Sequence, residues 1–208
     1  MMMKITWYGH SCFKVETDQG SVIFDPYQDG RVPGYAPLPQ NLSADAVLCS
    51  HQHGDHNAVE LVKLSGAVPK FVANELQTYH DEVKGEKRGA NTIRIVSAEG
   101  MRLAHMGDIG CELTAEQLSV LSGTDVLLIP VGGFYTIDAA QAKEIADAIS
   151  ARVVIPMHYR NGSLGYDVIA TLDDFVALCN DAVIYRTNSI EVLADTPKQT
   201  AVLTYLAE

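Results

Sequence analysis

Between residues 51 and 56 the chain reads His-Gln-His-Gly-Asp-His, which places three of its seven histidines and one aspartate at six consecutive positions. The segment follows a predicted buried strand at residues 44–50. Because alternate side chains of extended backbone point the same way, His51 and His53 can aim at one point. Asp55 and His56 then fall on the far side of a turn. Imidazole suits zinc, manganese, iron and nickel, and carboxylate suits the harder of these ions. We therefore predict that this one loop serves two adjacent metal ions.

The remaining pattern begins with strands in meanders and continues with strands that alternate with helices. Strand patterns occupy residues 4–9, 12–17, 21–27, 44–50, 70–74, 92–98, 101–108, 125–133, 152–159, 182–187 and 200–206. Helical patterns occupy residues 58–66, 114–123, 138–150 and 171–180, with N-cap signals at Thr114 and Asp138. This order predicts an α/β protein in which two packed sheets have helices outside them, within one domain over residues 1–208.

The composition limits the cellular location and the kinds of binding partner that we expect. The formal net charge is −11, which disfavours a long nucleic acid held on a broad basic face but allows a small anionic substrate beside a metal ion. We find neither a signal peptide nor an apolar run long enough to cross a membrane, and we expect no membrane partner. The cysteines are scattered, as is typical of free thiols in a reducing cytoplasm: Cys12, Cys49, Cys111 and Cys179.

The His-x-His-x-Asp-His pattern of residues 51–56 resembles the signature of the metallo-β-lactamase-fold hydrolases, and the resemblance extends over nearly the whole chain. It implies a four-layer αββα sandwich with the metal site at one edge, between the sheets. The phrases "WYGHSCF", "KRGANT", "IPVGGFYTID" and "IPMHY" are similar to the small bacterial zinc-dependent hydrolase branch. That branch also contains the L-ascorbate-6-phosphate lactonases, to which this chain is only distantly similar.

The resemblance also implies a set of ligands for two divalent ions, zinc or manganese. It assigns His51, His53 and His80 to one ion, Asp55, His56 and His158 to the other, and Asp108 to a bridge between them. Paired ions of this kind lower the pKa of bound water to about 7, which supplies hydroxide at neutral pH. Asp55 would also have a catalytic role, because it could orient the nucleophile or take up a proton.

Further residues are expected to support the site or to contact substrate. Asp25, in "IFDPY", matches the buried aspartate that orients the metal-binding loop, and the resemblance places His10 in or beside the pocket. Arg88 and Asn91 lie in a polar loop that is either simply solvated or meets an anionic substrate group. Tyr135 either packs at a strand end or steadies an oxyanion.

One ligand remains open, because His105 competes with His80 for the third histidine position. His105 precedes Asp108 by three residues and can also reach the site. We favour His80, which matches the family position, and expect His105 to support the ligands.

These features predict a metal-dependent hydrolase that acts on a small ester, lactone or phosphoester. The alternatives are a metal-binding protein without turnover and a member of the same fold that cleaves nucleic acid or another phosphodiester. An oxidoreductase would need more carboxylate ligands and a flavin partner. The sequence leaves the oligomeric state open.

Overall fold

The computed structural model describes residues 2–207. The strands, in chain order, are β1 (Met2–Gly9), β2 (Cys12–Thr17), β3 (Gly20–Phe24), β4 (Ser43–Ala44), β5 (Ala46–Leu48), β6 (Lys63–Leu64), β7 (Val72–Tyr79), β8 (Ala90–Ala98), β9 (Met101–His105), β10 (Val126–Pro130), β11 (Val153–Met157), β12 (Ala182–Ile184), β13 (Ser189–Leu193) and β14 (Gln199–Val202). The helices are α1 (Ala115–Leu121), α2 (Ala139–Ile149) and α3 (Asp173–Ala177).

Two large sheets organise the described residues. The smaller one has the strand order β13-β1-β2-β3-β5, and the larger one has the order β12-β14-β11-β10-β9-β8-β7. Strands β7, β8 and β9 pair antiparallel, whereas β9 to β12 and β14 are joined by parallel ladders. A two-stranded pair, β4 and β6, stands apart. The predicted meanders followed by strand–helix alternation are confirmed.

The main core lies between the two sheets. In β2 and β3, Phe13 and Phe24 point into this core, whereas Cys12 and Ile23 point to a second core on the opposite face. This alternation is the two-residue period of a strand that is covered on both faces. Strands β10 and β11 are buried at every position, as is usual for parallel strands between layers.

Helix α2 covers the outer face of the larger sheet with small residues, among them Ala142 and Ala146. Both predicted N-caps form complete capping boxes, Thr114 with Gln117 and Asp138 with Gln141. Within residues 2–207, no helix has the length and hydrophobicity that crossing a membrane requires.

A loop, and not the helix predicted at residues 58–66, covers most of the outer face of the smaller sheet. The prediction of that helix is wrong. That segment forms a 3₁₀ turn at Val59–Leu61 followed by β6. Val62 is buried in the second core while Leu61 is 41% exposed, so the apolar positions do not form a helical stripe. The second core instead takes its buried side chains from the preceding loop, including Tyr27, Val32, Tyr35 and Leu38.

Strand β13 was not predicted, although its burial alternates along "SIEVL". It pairs antiparallel with β1, with Ile190 opposite Ile5. Strand β7 also extends beyond the predicted residues 70–74 and ends at Tyr79, one residue before His80. That extension places His80 at the edge of the larger sheet.

Candidate metal centre

Every predicted ligand follows the end of a strand, and these strand ends meet between the two sheets. The cluster at residues 51–56 follows β5, His80 directly follows β7, Asp108 lies three residues beyond β9, and His158 directly follows β11. His10 and Asp25 directly follow β1 and β3. The fold therefore gathers at one edge residues that are up to about 150 positions apart in the chain.

Asp108 lies at the centre of this cluster. Its Oδ2 atom is 3.1 Å from Nε2 of His56, 3.1 Å from Nε2 of His158 and 3.4 Å from Nε2 of His80. Nε2 of His51 lies 4.0 Å from the same oxygen. One carboxylate thus faces histidines from both predicted ligand sets, which is the placement that a bridging ligand requires.

The donor atoms form three overlapping groups, each with all of its atoms within 4.8 Å of one another: His10, Asp55, His56 and His158; His51, His53 and His80; and His51, His56 and Asp108. Several polar atoms of these residues are buried without a hydrogen-bond partner among the described residues: Nδ1 and Nε2 of His10, Nε2 of His51 and His56, Oδ1 of Asp108 and Nδ1 of His158. Unpartnered buried polar atoms are costly, and a cation could satisfy those that point into the cluster. The donor set therefore fits divalent metal ions, and the ligand assignment itself stays a prediction.

Asp25 orients two of the histidines from behind. Its Oδ2 lies 2.8 Å from Nδ1 of His56 and accepts a 2.6 Å hydrogen bond from the Ser50 hydroxyl. The Ser50 hydroxyl is in turn 2.8 Å from Nδ1 of His51, and the Ser50 backbone N–H donates to Asp25 Oδ1 at 2.6 Å. With Nδ1 engaged in this way, His51 and His56 both turn Nε2 towards the centre.

The geometry separates His80 from His105. Nδ1 of His80 contacts the Tyr135 carbonyl at 3.1 Å, which leaves Nε2 facing Asp108. His105 instead uses both ring nitrogens elsewhere, because Nε2 lies 2.9 Å from the Ser11 carbonyl and Nδ1 accepts from the Gly107 N–H at 3.1 Å. His105 is fully buried, so it supports the fold behind the cluster and offers no free nitrogen to it.

Asn91 holds the Asp108 loop and does not reach the cavity. Its Oδ1 accepts from the Asp108 N–H at 2.9 Å, and its Nδ2 donates to Thr78 Oγ1 and to the Met106 carbonyl. The side chain is fully buried, and these bonds occupy its amide. The predicted alternative in which Asn91 meets an anionic substrate group is therefore corrected: Asn91 fixes the position of Asp108.

Backbone strain occurs at three of these strand ends. His10, Asp25 and His158 have φ values of 50°, 44° and 54°, in the left-handed region that non-glycine residues seldom occupy. Each such residue costs on the order of 1–3 kcal/mol and persists only where the surroundings enforce it. Left-handed residues that follow three strand ends are consistent with a site whose side-chain directions matter more than local stability.

Burial and neighbouring charges set the protonation of the clustered histidines and carboxylates. Burial, with the charge of His56 as a further cause, lowers the pKa of His51 to about 3. Burial and His158 lower the pKa of His10 to about 4. Burial acts to raise the pKa of Asp108, but His158 and His56 outweigh it and hold that pKa well below its usual range. Neutral imidazoles beside an ionised carboxylate are the forms that bind metal ions.

His56 is the exception. Burial acts to lower its pKa, but the carboxylates of Asp108 and Asp25 outweigh burial and raise it well above the usual value. Two buried carboxylates thus favour positive charge at this point of the structure. A divalent cation supplies that charge without a proton.

A cavity of about 300 Å³ opens onto the cluster. Its lining residues are His53, Asp55, His80, Arg88, Asp108, Tyr135, His158 and Tyr166. The Arg88 guanidinium lies over the Tyr135 ring, 5.6 Å from its centroid. The Tyr166 hydroxyl lies 3.1 Å from Asp55 Oδ2 and 2.9 Å from the Arg31 carbonyl. The volume is near the lower end of the range for sites that bind small molecules.

Asp81 shapes the loop that carries Arg88. Its carboxylate accepts backbone N–H bonds from Val83 and Gly85 through Oδ1 and from Lys87 and Arg88 through Oδ2, at 2.7–3.0 Å. Desolvation acts to raise the Asp81 pKa, but these N–H donors outweigh it and lower the pKa. The loop at residues 81–88 is thus ordered by one side chain, in contrast to the alternative of a simply solvated segment.

Ser50, Asp81 and Tyr166 were not predicted as residues of the site. The sequence did contain a signal for Ser50, since a hydroxyl next to His51 can link the imidazole to a carboxylate through hydrogen bonds. Asp81 lies next to His80 and begins a polar loop, where an aspartate commonly accepts local backbone bonds. Tyr166 is 111 residues from Asp55, and no local pattern links the two.

Comparison with known proteins identifies the family to which this chain is similar. Residues 4–158 match the family described as "Beta-lactamase superfamily domain". A UPF0173 metal-dependent hydrolase from Archaeoglobus fulgidus is 31% identical over 195 residues, which cover 76% of this chain and 83% of the relative. A second one, from Methanopyrus kandleri, is 29% identical over 197 residues, 76% of this chain and 84% of the relative.

A solved structure agrees with these sequence matches. A Thermotoga maritima protein assigned to the Zn-dependent hydrolases of the metallo-β-lactamase superfamily superposes with a TM-score of 0.76 and 34% identity, over 97% of each chain. The predicted fold class is therefore confirmed. The chain belongs to the β-lactamase superfamily and, within it, to the UPF0173 metal-dependent hydrolases.

Proposed function

We propose that the protein hydrolyses an ester, lactone or phosphoester bond in a small anionic molecule, with two divalent ions held by the seven predicted ligands. The observation that carries this proposal is the position of Asp108, whose Oδ2 lies 3.1–3.4 Å from Nε2 of His56, His158 and His80. The ligands are His51, His53, Asp55, His56, His80, Asp108 and His158. When bound, the ions would supply an activated water and polarise the bond that is cleaved.

The chain's own residues divide the remaining work. Asp25 and Ser50 orient His56 and His51, as the 2.6–2.8 Å contacts among them indicate. Asp55 lines the cavity and can accept a proton there, while the Tyr166 hydroxyl, 3.1 Å from its Oδ2, holds the carboxylate in place. Tyr135 lines the same cavity and can donate a hydrogen bond to an oxygen that becomes negative during the reaction.

Arg88 favours an anionic substrate. Its guanidinium lines the cavity, lies over the Tyr135 ring and forms no ion pair with any of residues 2–207. Its charge is therefore free to pair with a carboxylate or phosphate group of a substrate. The formal net charge of −11 and the small cavity both disfavour long nucleic acid. The four free cysteines support a reducing cytoplasmic location.

Zinc is the proposed metal, with manganese compatible with the same donors. Histidine-rich sites with carboxylates accept either ion. The relative from Thermotoga maritima is assigned to the Zn-dependent hydrolases, which favours zinc here as well.

The test is a screen of the zinc- and manganese-loaded protein against small lactones, carboxylate esters and phosphodiesters, beside the Asp108→Asn variant. We expect at least one class to be hydrolysed, with a loss of activity of about 100-fold or more in the variant. Ions bound by the parent without turnover of any class would favour the alternative of a metal-binding protein. Turnover that survives both chelation and Asp108→Asn would contradict the proposed mechanism.

A further inference from the structure

A second cavity lies beside the one that opens onto the metal cluster. It has a volume of about 350 Å³, and the two cavities share His53 and Arg88 in their walls. The rest of its lining comes from residues 49–52 and 89–94, so it lies between the metal-binding loop and β8. A molecule bound at the cluster can therefore extend past His53 into this second cavity.

The lining of the second cavity contains two arginines, Arg88 and Arg94, and no carboxylate. Four other cavities on residues 2–207 each have at least one acidic side chain in their walls, among them Glu144, Asp55, Glu82 and Asp147. The chain has 26 acidic residues and only 15 lysines and arginines, so a wall with arginines alone departs from its average charge. Such a lining favours an anionic ligand.

Arg94 is fixed in this wall and still has donors for a ligand. Its Nε donates to the Cys49 carbonyl at 2.8 Å, and its Nη1 donates to Glu75 Oε2 at 2.6 Å. Glu75 lies opposite Arg94 in the ladder between β7 and β8. A guanidinium has five N–H donors in a rigid fork, so these two bonds leave Nη2 available. Because the side chain is already ordered, a ligand that binds it loses less conformational entropy.

The two arginines together keep an uncompensated positive charge. Arg94 shares its charge with Glu75, whereas Arg88 lies over the Tyr135 ring and forms no ion pair with any of residues 2–207. Arg88 lines both cavities, and Arg94 lines only the second of these two. An anionic group in the second cavity can therefore meet two guanidinium groups, the geometry that carboxylates and phosphates bind best.

We propose that the substrate spans both cavities, with the bond to be cleaved beside the metal cluster and a terminal carboxylate or phosphate bound by Arg88 and Arg94. This inference rests on the proposed function and deepens it, because it describes the substrate as an elongated molecule whose anionic group is remote from the cleaved bond. Arg94 then determines specificity and takes no part in the chemistry. Each cavity alone is near the lower end of the range for small-molecule sites, which fits a ligand divided between the two.

The experiment compares three probes on the zinc-loaded protein: adipate, which has a carboxylate at each end, 6-phosphonohexanoate, in which a phosphonate replaces one carboxylate, and hexanoate, which has a single carboxylate. Isothermal titration measures their affinities. Phenylglyoxal modification followed by mass spectrometry of peptides measures whether they protect Arg94. We expect at least one dianion to bind about 10-fold more tightly than hexanoate and to slow modification of Arg94, while the exposed Arg186 reacts at an unchanged rate. The dianion that binds more tightly identifies the terminal group as carboxylate or phosphate.

Two variants separate binding from structure. Arg94→Gln removes the charge, and Glu75→Gln is the matched control, because it breaks the same ion pair and keeps the arginine. We expect Arg94→Gln to weaken binding of the dianion by about 10-fold and to leave hexanoate unchanged, whereas Glu75→Gln binds the dianion at least as tightly as the parent. Arg94→Lys should restore part of the affinity, because lysine keeps the charge and loses the fork. Zinc content and circular dichroism check the site and the fold of each variant.

The outcomes distinguish this inference from the function on which it rests. If neither dianion binds more tightly than hexanoate, or neither protects Arg94, this inference fails and the proposed function stands. Equal losses of affinity in Arg94→Gln and Glu75→Gln would assign the effect to the pairing of β7 with β8 and would also overturn it. If a dianion binds through Arg94 but the loaded protein hydrolyses none of the screened classes, the proposed function fails and the anion-binding role of Arg94 is upheld.

Discussion

Nδ1 of His56 lies 2.8 Å from Oδ2 of Asp25, and neither side chain is accessible to solvent. Asp25 also accepts both the backbone N–H and the hydroxyl of Ser50, and that hydroxyl contacts His51. One carboxylate thus orients ligands that belong to both proposed ions. These hydrogen bonds hold the metal-binding loop in place before any ion binds, which lowers the free-energy cost of forming the site.

We predict that Asp25→Ala lowers metal affinity by about 10–100-fold, because His51 and His56 lose the partner that directs their Nε2 atoms. Isothermal titration of the metal-free protein with Zn²⁺ measures this change. Asp45→Ala is the matched control, since Asp45 accepts bonds from Ser21 and Ser65 away from the site. Parental affinity in Asp25→Ala would contradict the orienting role.

Gly107 lets the Asp108 loop approach the metal-binding loop. A Cβ atom at Gly107 would lie 2.3 Å from Asn91 Oδ1 and 2.4 Å from Ser50 Cβ. We predict that Gly107→Ala lowers the free energy of unfolding by about 1–3 kcal/mol beyond the cost of left-handed backbone, and also lowers metal content. Chemical denaturation and elemental analysis provide the two measurements.

The control for this variant is Gly123→Ala. Gly123 shares the left-handed backbone, with φ +77° against +57° at Gly107, but a Cβ there meets nothing within 4 Å. It should therefore show only the backbone cost, about 1–2 kcal/mol. If the two variants lose the same free energy of unfolding, the close approach at Gly107 does not contribute to stability, which would contradict the prediction.

Asp81 is predicted to order the loop that presents Arg88 to the cavity. In Asp81→Ala, the backbone N–H groups of Val83, Gly85, Lys87 and Arg88 lose their acceptor. Their hydrogen exchange should accelerate by about tenfold or more, measured by mass spectrometry of peptides across residues 81–89. Glu82→Ala is the control, because that exposed side chain pairs with Lys87 at the surface. Unchanged exchange in Asp81→Ala would refute the prediction.

The sequence predicted the parts of this structure that follow from local rules. The alternation in β2 and β3, the capping boxes of α1 and α2, and the buried strands β10 and β11 each have a local physical cause. The assignment of His51 and His158 to one metal site came from the resemblance to the metallo-β-lactamase fold, because the predicted strand at residues 152–159 ran past His158 and did not mark it as a strand end. The segment at residues 58–66 failed because its helix-forming composition is overridden by pairing of Lys63 and Leu64 with β4.

The contacts that sequence could not predict are those between distant loops. Tyr166 reaches Asp55 because residues 160–171 fold back over the cavity, with Arg160 N–H bonded to the Ala170 carbonyl. The separate environments of His80 and His105 likewise depend on which carbonyl each ring meets, Tyr135 or Ser11. Such pairings arise from the packing of the two sheets, and a single sequence carries no local signal for them.

The central claim is that Asp108 bridges two divalent ions, and metal content tests it most directly. Elemental analysis of protein purified without added metal, beside the Asp108→Ala variant, measures the number of ions per chain. We predict about two ions in the parent and a clear fall in the variant. Metal near zero in the folded parent, not restored by adding zinc or manganese, would contradict the account and leave the buried histidines unexplained.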